Sequence, residues 1–337
     1  MTEKIYLFLL LIFNLFIIFK FDSFKFFKIN IDRPDDYRKF HKKPTPLAGG
    51  TIIVLNLCLY FILILSDPSF FKEEIIYENY KIFTVFFSIS LLIFFIGFLD
   101  DKFNFKPVLK FILLSSIILV VLFLDDSLTI KIIKFSFLDN HLNISKYSIF
   151  FTLFCFLVLL NAFNMIDGIN LQASSYSLIV FFSIYFFYAE MLLIKTLLIS
   201  IMGYSYLNFK NKTFFGDSGS LLISFIMGYL FIKLYNNGLI ISSDEVIIYM
   251  LIPGLDLIRL FFKRIITKKN PLKGDRFHLH HLLLEKFSYP TTLIIFLSLI
   301  ITPIILNIYE INRIFIISFA IIVYSILIFF VSSNKSK

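Results

Sequence analysis

The chain has 337 residues, of which 58% are hydrophobic and 16% charged, and its mean hydropathy is +0.87. This composition excludes an ordinary soluble domain and defines a polytopic membrane protein. The net charge of +9 comes without a basic domain outside the apolar runs, which excludes nucleic-acid binding and assigns the cations to loops that face anionic headgroups.

A spanning helix needs about 20 apolar residues. Eleven such runs occur, at about 5–21, 47–66, 82–99, 108–124, 148–163, 173–188, 190–207, 219–235, 246–266, 290–307 and 313–331. They predict an all-α polytopic fold, one integral-membrane domain over residues 1–337. The first run is followed by Asp22 and Ser23 and lacks a small-x-small cleavage site, so a retained helix is expected there rather than a signal peptide. After the fourth run, Leu128 to Leu138 alternates and meets the turn-like pair Asp139-Asn140, which predicts a small β-hairpin near 128–146. In the ninth run Pro253-Gly254 predicts a broken helix, and Asp256 and Arg259, three positions apart, are expected to pair. Cys58 and Cys155 lie in apolar runs and read as small apolar residues.

Polar residues collect in five stretches: Arg33 to Pro46, the LDD ending at Asp101, Asn161 to Asn170, Phe214 to Ser220, and Gly274 to His281. If the 22–46 loop lies inside, inside segments hold 20 Lys and Arg and outside segments hold 8. The positive-inside rule therefore sets the N-terminus outside and the C-terminus in the cytoplasm. All five stretches then share the cytoplasmic face, and the predicted hairpin lies on the opposite, outer side. A shared active site accounts for that arrangement, whereas helix packing does not.

Asp100 and Asp101 end a helix at the aqueous boundary, where adjacent carboxylates attract a divalent cation. Asp125-Asp126, on the outer side, shows that the same pair also serves as an ordinary helix end. Lys102 adds charge for phosphate oxygens. Asn161, Asn164, Asp167 and Asn170 recur every three residues, which aligns them on one helix face; a substrate-facing row competes with a cap at Gly168. Gly216-Asp217-Ser218-Gly219-Ser220 opens a helix, either as its N-cap or as a phosphate cradle in which Asp217 holds Mg²⁺. His278, His280 and His281 follow Arg276, and no Cys or nearby Glu completes a zinc set. They suit a phosphate-rich ligand, and a solvated basic loop would show the same pattern.

Together, RKFHKKPTPLAGG (Arg38 to Gly50), FLDD, NAFNMIDGIN, FFGDSGS and DRFHLHHLL (Asp275 to Leu283) resemble the polyprenyl-phosphate N-acetylhexosamine-1-phosphate transferases, glycosyltransferase family 4. That superfamily includes the peptidoglycan enzyme phospho-MurNAc-pentapeptide translocase. The Asp-Arg-x-His-x-His-His pattern resembles the undecaprenyl-phosphate GlcNAc-1-phosphate transferase branch. The chain departs from the frequent DGxDG pattern, with Asn170 in place of a second carboxylate and Leu171 in place of Gly.

The resemblance implies that polyprenyl phosphate and a UDP-N-acetylhexosamine give a polyprenyl diphosphate-sugar and UMP, at the cytoplasmic face of a bacterial inner membrane. It implies catalytic roles for Asp100, Asp101, Asp217 and His278. Substrate contacts would fall to Asn164, Asp167, Asn170, Arg276, His280, His281, Lys102 and His41. Mg²⁺, or Mn²⁺ in its place, would be held by Asp217 first and then by Asp100 and Asp101. Direct displacement and a covalent intermediate both stay open, as does a homodimer. The competing functions are transfer of a peptide-bearing sugar phosphate, as in the translocase, and, in a different class, membrane transport.

Overall fold

The computed structural model describes residues 3–34, 43–72, 74–268 and 277–332. In chain order its helices are α1 (Glu3–Lys20), α2 (Gly49–Ser66), α3 (Pro68–Phe71), α4 (Tyr80–Phe103), α5 (Pro107–Leu124), α6 (Ser148–Ile166) and α7 (Gln172–Phe187). They continue with α8 (Leu192–Phe209), α9 (Gly216–Asn236), α10 (Ser243–Ile266), α11 (Leu279–Leu284), α12 (Tyr289–Ile308) and α13 (Arg313–Ser332). Every predicted run is a helix. Among the described residues, nine are long and apolar enough to cross a membrane. The other two runs are α7, with only 16 residues, and α10, which carries Asp244, Glu245, Asp256, Arg259, Lys263 and Arg264.

Helix α9 is the hub, packed against α2, α4 and α6 and buried from Ser218 to Leu234. Its glycines and serines explain how three neighbours approach so closely, since small residues let helix backbones meet in a membrane. A Cβ on Gly97 of α4 would lie 2.5 Å from Ser218 Cα, and one on Gly50 of α2 would lie 2.6 Å from Gly219 N. Around this hub, α8 packs on α1, α2 and α7, while α10 joins α6 to α12 and α13.

Two small antiparallel ribbons close the ends. Strands β3 (Ile132–Ile133) and β4 (Leu142–Asn143) form the expected hairpin. The other ribbon, β1 (Ile31–Asp32) with β2 (Thr45–Pro46), has no counterpart in the sequence expectations. It continues as a bridge from Leu47 to Phe214, so the start of α2 is tied to the turn that opens α9.

Helix α10 is not broken at Pro253 but runs continuously through it. Proline lacks the N–H that would bond the carbonyl of residue 249. Tyr176 Oη of α7 donates to that Tyr249 oxygen at 2.9 Å, so the freed acceptor is satisfied by a neighbouring helix.

The Asp125-Asp126 pair is also not an ordinary helix end. Asp125 is 1% exposed and accepts from Lys233 Nζ at 2.9 Å, Tyr229 Oη at 3.0 Å and Ser127 Oγ at 2.6 Å. Asp126 is exposed and, among the described residues, its carboxylate pairs only with Lys131. Removing one partner of a buried ion pair strands the other charge. Asp125→Ala should therefore destabilise the protein by about 3–5 kcal/mol in denaturant titrations in mixed micelles. Asp126→Asn should leave the transition unchanged.

Candidate active site

The site lies at the end of the bundle formed by the N-termini of α2, α5 and α9 and the C-termini of α4 and α6. It is a cleft of about 1220 Å³ lined by Asp32, Arg33, Asp100, Asp101, Asn164, Asp167, Asn170, Asn208, Asn211 and Asp217, with Phe214, Leu284 and Tyr289 among its apolar walls.

Backbone geometry at the start of α9 sets the floor. Phe214 N donates to Pro46 O, and Gly49 N donates to Phe214 O at 3.1 Å. Gly216 has φ +71, the left-handed region where a side chain is strained, and a Cβ there would also meet the Asp101 carboxylate at 2.8 Å. Asp101 accepts from Asp217 N at 2.7 Å and Ser218 N at 3.1 Å. It thus caps α9 from another helix, using both oxygens on N–H groups that α9 itself cannot satisfy.

Asp217 points from the first turn of α9 into the cleft. Lys110 Nζ of α5 lies 2.7 Å from Asp217 and 2.8 Å from Asp100. Asn164 of α6 donates to the other Asp217 oxygen and to Ser220 Oγ. Asp100 also accepts from Phe105 N at 2.7 Å, in the turn where Asn104 is left-handed. The sequence reading missed Lys110. Its signal was a lone cation one turn inside an apolar run, a costly placement unless it is paired. Lys102, expected at phosphate oxygens, is exposed, stacks over the Phe103 ring and does not line the cleft. Helical rotation carries it off the face that holds Asp100.

Asp167 lines the same cleft from the turn after α6, and no hydrogen bond or ion pair engages its carboxylate among the described residues. Burial raises its pKa well above the ordinary carboxylate value, with the Asp217 and Asp101 charges adding to the shift. Asn170 is occupied structurally. It donates to Asn211 Oδ1 at 2.5 Å and accepts from Asn208, and its carbonyl accepts from Tyr289 Oη at 2.6 Å. Leu171, where the resembling pattern often has Gly, adopts φ 63; Asn208 Oδ1 accepts its N–H at 2.6 Å and helps hold that turn.

The histidines stand behind this turn. A Cβ on Gly168 would overlap the His280 imidazole, so only glycine admits the ring so close. His280 is buried with Nε2 unpartnered, and burial, followed by the neighbouring His281 and His278, pushes its pKa well below the ordinary value. His278 is buried as well, its Nδ1 2.8 Å from Asp256, and it stacks on His280. His281 completes the cluster, 4.1 Å from His280 between ring centroids. None of the three lines the cleft itself. His41 and Arg276 lie outside the described residues.

Mg²⁺ commonly takes one or two carboxylates, with water and substrate phosphates completing its shell. Among the described residues no three His, Cys, Asp or Glu side chains group as a metal cage. The cleft's oxygen donors, with an unpartnered Asp167 beside Asp217, fit a cation that arrives with a phosphate ligand rather than one held by protein alone.

Fold and site together define a multi-pass membrane protein with a carboxylate-lined polar cleft at one end of an apolar bundle. The sequence model described as Glycosyl transferase family 4 matches residues 83–235, which carry Asp100, Asp101, Lys110, Asn164, Asp167 and Asp217. The chain is 25% identical to an undecaprenyl-phosphate alpha-N-acetylglucosaminyl 1-phosphate transferase of Yersinia pestis, over 84% of this chain and 76% of the relative. A protein of the same name from Thermotoga maritima is 28% identical over 80% of this chain and 77% of its own length. Another, from Salmonella typhi, is 25% identical over 76% and 69% respectively.

Two outcomes test the packing behind the cleft. Gly168→Ala and His280→Ala should be non-additive in thermal unfolding by roughly 0.5–3 kcal/mol, the double variant being more stable than the sum of the two. A buried neutral histidine is also lost on acidification, because below a pH of about 6.5 the unfolded chain takes up the proton first. The wild-type melting temperature should accordingly fall as pH drops below that value, and His280→Ala should show a shallower fall.

Proposed function

We propose that this enzyme transfers N-acetylhexosamine-1-phosphate from a UDP-sugar to undecaprenyl phosphate, giving undecaprenyl diphosphate-sugar and UMP. The reading is carried by one observation: Asp100, Asn164, Asp167 and Asp217, from three separate segments of the family region, meet in a single polar cleft at the end of an apolar bundle, with Lys110 of a fourth segment paired to two of them. The relatives' printed names support the substrate class. The excess of Lys and Arg on the loops at this end supports a cytoplasmic site in a bacterial inner membrane.

The reaction joins a phosphate on a membrane-bound lipid to the sugar-linked phosphorus of a soluble nucleotide. Such transfers depend on positioning and on charge neutralisation. The acceptor phosphate monoester is largely dianionic near neutral pH, its second pKa being about 6, so no strong base is required. Lys110 supplies a fixed positive charge between Asp100 and Asp217 and is placed to draw a phosphate oxygen toward them. Asp101 holds the opening of α9, so its part is to position Asp217 rather than to bind metal. Asn164 orients the other Asp217 oxygen, and Asp167 offers its unpartnered carboxylate to the donor. Mg²⁺, with Mn²⁺ as a substitute, offsets charge on the diphosphate when bound, with Asp217 and Asp167 its first protein donors and Asp100 next. His278, with His280, His281 and Arg276, would hold phosphate oxygens that extend past the Asp167 turn, since the histidines stand behind the cleft rather than on its lining.

The direct test incubates purified protein with undecaprenyl phosphate and a panel of UDP-sugars, following UMP release and the mass of the lipid product. Asp217→Asn and Asp167→Asn should each lower turnover by about 100-fold or more without loss of membrane insertion. Substrate flux into proteoliposomes without UMP release would replace this reading with a transporter.

A further inference from the structure

A charge inside a membrane helix must find partners, and Asp256, 4% exposed in the middle of α10, finds four. Its Oδ1 accepts from Arg259 Nη2 at 2.7 Å, Tyr324 Oη at 2.8 Å and Leu279 N at 3.1 Å. Its Oδ2 faces His278 Nδ1 at 2.8 Å. One carboxylate therefore joins α10, α11 and α13. Arg259 extends the network, donating through Nε to Tyr324 Oη at 2.9 Å and through Nη2 to Phe277 O at 2.6 Å. His278 Nε2 has no hydrogen-bond partner among the described residues.

We propose that Asp256 is a positioning residue that fixes the tautomer of His278, leaving Nε2 as the nitrogen open to a phosphate group that reaches the histidine cluster behind the Asp167 turn. An ionised carboxylate only accepts hydrogen bonds, so His278 Nδ1 carries the proton. In the neutral ring Nε2 then keeps its lone pair, and in the cation it becomes the outward donor. The inference rests on the reading of His278 as a phosphate-holding residue. A purely structural Asp256, anchoring α11 through Leu279 N, would not depend on which nitrogen is protonated.

Asp256→Asn separates the two roles. Three donors converge on Oδ1, so the amide oxygen must take that place and the NH₂ must face His278. Nδ1 can then only accept, and the proton moves to Nε2 while the anchor of α11 is kept.

The test uses the full-length protein in micelles with ¹⁵N-labelled histidine. Five histidines are present, and His278→Ala identifies the resonance. The wild type should show His278 protonated at Nδ1, and Asp256→Asn should show it protonated at Nε2. In the UMP-release assay Asp256→Asn should lower kcat by roughly tenfold or more with little change in KM for the UDP-sugar, while the broken Arg259 ion pair lowers the melting temperature. A wild-type His278 protonated at Nε2 overturns the proposal, whatever the variant does. So does an inverted tautomer in Asp256→Asn with unchanged kcat, provided that His278→Ala is impaired. Wild-type turnover in His278→Ala, alongside the Nδ1–H form, would remove His278 from the reaction and leave its control by Asp256 standing.

Discussion

The N-terminus of α9 is the constraint on which this molecule turns. A helix buried from Ser218 to Leu234 brings unsatisfied N–H groups to the rim of the bundle, where neither lipid nor its own carbonyls can satisfy them. Asp101 accepts two of those groups from α4, and the strand-like segment before α2 bonds the residues just ahead of them. Gly50, Gly97 and Gly216 are glycines because backbone, or the Asp101 carboxylate, fills the space where a Cβ would stand. Once α9 is seated in this way, Asp217 has one direction to face.

That direction leads to an electrostatic arrangement that a single helix could not build. Asp100 and Asp217 would repel one another, and the Lys110 ammonium between them offsets the repulsion. Among the described residues, Asp167 is left without a partner in the same cleft. Anionic walls with the Lys110 ammonium beside them favour a ligand that brings its own positive counter-charge or phosphate oxygens for Lys110. This suits a reaction between a lipid phosphate and a nucleotide diphosphate.

Behind the cleft, the wall is held by polar contacts that the membrane makes strict. Tyr176 fills the acceptor that Pro253 vacates, so α10 stays helical down to Asp256. Asp256 then gathers Arg259, Tyr324, Leu279 and His278. His280 presses against Gly168, which links this rear network to the turn that carries Asp167.

Much of this was legible in the chain. Apolar runs of spanning length fixed the helices, because a membrane leaves a backbone few other ways to satisfy its hydrogen bonds. The hairpin, the pairing of Asp256 with Arg259 and the membership of Asp100, Asn164, Asp167 and Asp217 in one polar group were readable from alternation, spacing and motif order. Lys110 was passed over, Lys102 was preferred to it, Asp125 was taken for part of an ordinary helix end, and α10 was expected to break. Each of these turns on what lies across from a residue on another helix, which no local pattern encodes. Sequence determined which segments enter the membrane and which residue types reach its surface, since hydropathy and charge are local properties. Tertiary structure alone decided which carboxylate caps a helix, which shares a lysine and which stays free, because those roles depend on distances between segments far apart in the chain.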